Sequence, residues 1–154
     1  MDEYSQNNAM DDLNNKYLTF FIGGNTYAIE LSHVTEIIGV QATTPVPNVP
    51  AYIMGMINLR GKIVPVIDGR KKLSYPDKET DDKTCTVIVE HENAQIGLLV
   101  DCVSEVASVE DGSIAEPPSV GKDGRDKYLK GVLKIGEEVI LSIDCAAFFA
   151  HDRA

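Results

Sequence analysis

The sequence predicts a mainly β fold with a few short helices, arranged as two similar half-domains, each a small barrel of about five short strands. Two observations lead there. Apolar and β-branched runs of strand length recur along the chain, separated by turns bearing glycine, asparagine and proline. The order of those runs also repeats. A shift of 69 carries Leu18 onto Val87, Phe20 onto Val89, Tyr27 onto Ile96 and Ile29 onto Leu98. The same shift carries Ser32 onto Asp101, Val34 onto Val103, Glu36 onto Glu105 and Ile37 onto Val106. A shift of 76 carries Gly55 onto Gly131, Ile57 onto Leu133, Leu59 onto Ile135, Ile67 onto Ile143 and Asp68 onto Asp144. The change of offset falls in proline-rich and polar loops, where insertions are tolerated.

The elements follow in order. Residues 1–15 are rich in Asn and Asp and poor in apolar side chains, so a disordered acidic tail is expected. Tyr17–Ile22 and Thr26–Leu31 form a hairpin around Gly23-Gly24-Asn25. His33–Ile38 reads either as a helical turn capped by Ser32 or as an extended segment, since Val, Thr and Ile favour strand. Residues 41–51 hold Pro45, Pro47 and Pro50 and form a stiff surface connection.

The densest signal is Asn58–Asp68, a strand, a turn and a strand. Gly61 supplies the reversal, Arg60 stands at the tip, and Pro65, lacking an N–H, marks a sheet edge or a bulge. Gly69–Leu73 is a helical turn, followed by a charged loop over 75–83. The second half repeats the scheme with strands over 84–90 and 95–100, a segment from Asp101 to Val106, and a polar loop over 110–127. A hairpin follows around Gly136-Glu137-Glu138, then a closing helix over 145–149 with Asp144 as its cap. One difference between the halves stands out: Gly136 occupies the place of Arg60.

A chain of 154 residues makes one domain or two small intertwined ones. A net charge of −10 repels phosphate backbones and argues against nucleic acid. No apolar run has the length of a membrane span, and the N-terminus lacks a signal-peptide pattern. Cys85, Cys102 and Cys145 are scattered and odd in number, which points to buried free thiols and a reducing cytoplasm.

Catalytic groups do not assemble. Ser32 and His33 are adjacent, with no third group placed by the sequence. His33, His91 and His151 lack metal-ligand spacing, so neither metal nor cofactor is expected. Asp68, Asp101 and Asp144 each end an apolar strand. A small β-barrel hydrolase using these aspartates is the rival reading, but capping of the turns that follow explains them better. Surface recognition remains: Arg60, beside the apolar segment Val34, Ile37 and Ile38, is suited to clasp a helix end or a carboxylate.

The segment Pro50-Ala-Tyr-Ile-Met-Gly-Met-Ile-Asn-Leu-Arg-Gly-Lys-Ile-Val-Pro-Val-Ile-Asp68 closely resembles the core motif of the CheW family of chemotaxis coupling proteins. Tyr27-Ala-Ile-Glu-Leu31, Val34-x-Glu-Ile37, Gly97-Leu-Leu-Val-Asp-x-Val-Ser-Glu-Val106, Leu129-Lys-Gly-Val132 and Ile140-Leu-Ser-Ile-Asp144 extend the likeness in family order. The resemblance implies two five-stranded SH3-like β-barrel subdomains sharing a core, intertwined over residues 16–150, with 151–154 as a short tail. It implies a non-catalytic cytoplasmic adaptor, recruited to membrane-bound receptor arrays without entering the membrane. Its partners would be the cytoplasmic tip of a methyl-accepting chemoreceptor and the regulatory domain of a CheA-type histidine kinase. Val34, Arg60, Leu98 and Val106 match receptor-side positions. Glu36, Met54 and Gly55 match positions of an end-to-end kinase contact. Met54 departs from a commonly polar position. Gly69 replaces the usual leucine, so a looser turn is expected there. The same contacts would serve a CheW-like module in a pathway other than swimming.

Overall fold

The structure is a computed structural model that describes residues 15–109, 114–115 and 127–149. The expected acidic tail before residue 15, most of the 110–127 loop and the tail with His151 lie outside the described residues. The strands are β1 (Lys16–Ile22), β2 (Asn25–Glu30), β3 (Val34–Gly39), β4 (Ile53–Leu59), β5 (Lys62–Asp68) and β6 (Cys85–His91). They continue as β7 (Ala94–Val100), β8 (Cys102–Ser108), β9 (Ile114–Ala115), β10 (Leu129–Ile135) and β11 (Glu138–Ile143). Two single-turn helices, α1 (Gly69–Lys72) and α2 (Cys145–Phe148), follow β5 and β11.

Two sheets form, one ordered β8-β1-β2-β11-β10-β9 and the other β3-β6-β7-β5-β4. With the two-residue β9 set aside, both are five-stranded and have the same order under the repeat. The hairpins, however, are exchanged. β1–β2 inserts between β8 and β11 of the second half, and β6–β7 inserts between β3 and β5 of the first. Neither half-domain therefore closes on itself; each barrel takes a hairpin from one half and three strands from the other.

The repeat extends to details of pairing. Ala28 lies beside Ser142 and Gly97 beside Val66, both in parallel pairing, and these two pairs are related by the two shifts. β4 has an irregularity between Ile53 and Gly55, and β10 has one between Leu129 and Gly131. Asp68 N–H donates to the Tyr52 carbonyl at 2.7 Å, and Asp144 N–H to the Tyr128 carbonyl at 2.8 Å. Such agreement means that the halves share a backbone plan and not merely an apolar pattern.

One core joins the sheets. Phe20, Tyr27 and Ile29 of the first sheet meet Val87, Ile96 and Leu98 of the second, and Phe148 of α2 and Phe149 just after it close the core. Burial of each such side chain contributes roughly 1.5–3 kcal/mol. This continuity explains why the hairpins tolerate exchange: their inward faces enter a common interior.

Four expectations are refined. Residues 34–39 are extended, because pairing with β6 rewards the β-branched residues, and a short 3-10 turn over Leu31–His33 has no side-chain cap. Pro65 lies in β5 between β4 and β7, not at an edge. Its partner across the ladder, Met56, directs its own N–H and C=O to Thr44, so that ladder makes no demand on the missing N–H of Pro65. Part of the expected 110–127 loop, Ile114–Ala115, pairs as β9 with β10. Gly69 opens a regular turn rather than a loose one. A Cβ there would lie 2.6 Å from the Leu99 carbonyl oxygen, so glycine permits the close approach.

Candidate functional site

The β4–β5 hairpin reverses through Arg60 and Gly61, with φ of 51° and 86°. Both are left-handed, as a two-residue primed turn requires. Asn58 Oδ1 accepts from Gly61 N–H at 2.8 Å and fixes the reversal. Arg60 thus holds a backbone state that costs an L-residue roughly 1–2 kcal/mol, where its repeat counterpart is Gly136 at φ 62°. Its side chain is 69% exposed yet forms an ion pair with Glu36 on β3. Since β3 and β4 are the two ends of the five-stranded order, this pair spans the opening of the barrel. The structure thereby brings two of the candidate positions, Arg60 and Glu36, into direct contact.

The other candidate positions divide by depth. Val106 is exposed on β8, in the other sheet from the hairpin that carries Arg60. Val34 is half-buried against the shared core. Leu98 is fully buried and in this conformation offers no surface. Met54 is half-buried against Ile57, Val64, Val66 and Ile88. Gly55 is buried at φ 144°, where a Cβ would lie 2.4 Å from the Thr44 carbonyl oxygen. Leu98, Met54 and Gly55 therefore shape the surface from beneath. Two further apolar pairs are exposed at repeat-related places, Ile37 with Val106 and Ile63 with Val139.

The strand-end aspartates have two fates. Asp68 Oδ1 accepts from Arg70 N–H at 3.0 Å and Lys71 N–H at 3.3 Å. Asp144 Oδ1 does the same for Ala146 at 3.0 Å and Ala147 at 3.3 Å. Both are helix caps, as the sequence suggests. Asp101 is not, because β8 and no helix follows it. It receives Arg70 Nε at 2.8 Å, an Arg70 terminal nitrogen at 2.7 Å and Gly23 N–H at 3.0 Å. Burial alone would raise the Asp101 pKa, but the bonds from Arg70 and Gly23 and the Arg70 charge outweigh it and hold the carboxyl below its ordinary value. The same bond raises Arg70. Tyr75 completes this latch, its hydroxyl 2.6 Å from that of Tyr27 and its ring against Gly23.

Sequence reasoning missed Arg70 and the meeting of two histidines. His33, at the end of the 3-10 turn that leads into β3, and His91, at the end of β6, have ring centroids 6.1 Å apart. Lys72 was also missed. It is buried with its ammonium 4.3 Å from the centre of the Tyr52 ring and 5.1 Å from that of Phe148. Among the described residues, no three His, Cys, Asp or Glu side chains converge as a metal site. No described helix is long and apolar enough to cross a membrane.

A family model, the CheW-like domain, matches residues 16–153. The chain is 34% identical over 132 residues to the chemotaxis protein CheW of Bacillus subtilis, covering 86% of this chain and 85% of the relative. It is 30% identical over 149 residues to that of Rhizobium meliloti, covering 95% and 96%. The crystal structure of the scaffolding protein TtCheW from Thermoanaerobacter tengcongensis superposes with a TM-score of 0.82 at 30% identity, covering 90% of this chain and 94% of that one. With these matches along nearly its whole length, and the two intertwined barrels that go with them, the chain belongs to the CheW-like domain family.

Proposed function

We propose that this chain is a non-catalytic cytoplasmic adaptor that couples chemoreceptor tips to a CheA-type histidine kinase within membrane-associated arrays. The observation that carries the reading is Arg60: an exposed guanidinium retained in a costly left-handed turn and braced by Glu36, where the repeat has glycine. Backbone strain kept at one copy of a repeated hairpin favours a functional use of its side chain. A receptor's helical hairpin would lie at the barrel junction as a helix-in-groove contact, with Arg60 on one flank, Val106 on the other, and Val34 and Leu98 supporting the floor. The kinase regulatory domain would meet the end of the five-stranded barrel, where Glu36 is partly exposed and Met54 and Gly55 set the shape. Ile37 and Ile63 are apolar residues exposed on that barrel. Such small contacts bind at about micromolar affinity alone, and linkage within an array raises the net strength.

The test is reconstitution of receptor fragments, kinase and adaptor, with kinase autophosphorylation as the readout. Adaptor carrying Arg60→Glu should lose receptor-dependent activation while unfolding at an unchanged temperature. Full activation by that variant would remove Arg60 from the receptor contact.

A further inference from the structure

The repeat supplies a comparison within one molecule, because the barrel junction occurs twice. On one side Arg70 lies two residues past the cap Asp68 and grips both oxygens of Asp101, which occupies that junction. On the other side a shift of 76 places Ala146 at the Arg70 position, and a shift of 69 places Ser32 at the Asp101 position. Among the described residues, the chain supplies no guanidinium there. A cavity of about 270 Å³ stands in its place, walled by Glu30, His33, His91, Lys130, Asp144 and Ala146 among others. It has room for a planar side-chain head and ordered water.

The walls keep the acidic character of the filled junction. Asp144 stands where Asp68 stands, and Glu30 brings in a carboxylate where the repeat has Leu99. One oxygen of Glu30 pairs with Lys130, and the other lies 4.0 Å from His33 Nε2, beyond hydrogen-bond reach. The lining carries two carboxylates, Glu30 and Asp144, against the single ammonium of Lys130, and this excess of negative charge favours a cation. His33 and His91 both line the cavity, their ring centroids 6.1 Å apart, and aromatic rings suit a planar guanidinium better than a compact ammonium.

We propose that this cavity is a binding site for a guanidinium side chain presented by a partner protein, completing in trans the junction that Arg70 completes in cis. The site is independent of the receptor and kinase assignment, and its test uses small probes so that the two stand or fall separately.

The full chain is titrated with N-acetyl-arginine amide while the imidazole NMR signals of His33 and His91 are followed. Saturable shifts are expected with a midpoint of about 1–10 mM, and N-acetyl-lysine amide should bind several-fold more weakly. Glu30→Gln should weaken the arginine probe about tenfold. Ser32→Asp with Ala146→Arg, which rebuilds the latch inside the chain, should abolish its binding. Shifts that never saturate, unchanged binding by Glu30→Gln, or saturable binding of inorganic phosphate in place of the arginine probe would each overturn the assignment. If the rebuilt variant does not fold, Glu30→Gln decides the matter alone.

Discussion

Replacing Asp101 by Asn probes how the barrels are held together. Asp101 joins β7 of one sheet to β8 of the other; Arg70 belongs to α1 behind β5, and Gly23 to the β1–β2 turn. The substitution keeps an acceptor for Gly23 N–H but removes the charge that Arg70 grips. The two side chains are 18% and 15% exposed, so the pair is mostly but not fully buried. Charge-assisted bonds of this kind contribute roughly 1.5–3 kcal/mol, and stranding a fully buried partner costs about 3–5 kcal/mol. Discounting for residual solvent screening gives a loss of about 2–3 kcal/mol. At roughly 2–4 °C per kcal/mol for a chain of this size, the melting temperature should fall by about 5–10 °C. Thermal and urea unfolding at neutral pH measure it. The depressed carboxyl adds stability that is fully present above its unfolded value near ~3.9 and is lost as pH falls through the lower folded value. The gap between wild type and Asp101→Asn should therefore close on acidification below about pH 4. A loss under about 0.5 kcal/mol at neutral pH, or a gap that persists in acid, would refute the latch.

Two further substitutions test the same geometry. Gly55→Ala places a methyl 2.4 Å from the Thr44 carbonyl oxygen at φ 144° and should cost about 2–4 kcal/mol by urea unfolding, so any loss of kinase contact in that variant should track its instability. Ser142 is buried, its hydroxyl has no hydrogen-bond partner among the described residues, and its repeat counterpart is Val66; Ser142→Ala should be neutral or stabilising by up to about 1 kcal/mol in thermal melts.

Strands, hairpins and caps were legible because their signals are local. Gly23-Gly24-Asn25 and Arg60-Gly61 mark reversals by residue type, and Asp68 and Asp144 sit directly before the turns they cap. The exchange of hairpins was not legible. β1–β2 carries the same apolar pattern as β6–β7, and that pattern fits between β3 and β5 or between β8 and β11 alike. Asp101 misled because a carboxylate ending a strand looks the same whether it caps a helix or meets an arginine 31 residues away. A signal did exist. Arg70 and Asp101 align with Ala146 and Ser32, so both members of the latch are missing together from the other junction. For the docking surface, Arg60 was prominent from its turn, but the burial of Leu98 depends on a core assembled from both halves. The contact between Arg60 and Glu36 depends on barrel closure, which brings the two ends of a sheet together.

The central claim is that Arg60 acts on a partner and not merely on Glu36. The charge swap Arg60→Glu with Glu36→Arg separates the two roles, because it preserves the internal ion pair while reversing the charge at the hairpin tip. Binding of a receptor fragment in the absence of kinase, measured for wild type, Arg60→Glu and the swap, should weaken about tenfold or more in both variants, with folding unchanged. Recovery of full receptor binding in the swap would show that the arginine serves only to close the barrel, and would contradict the account.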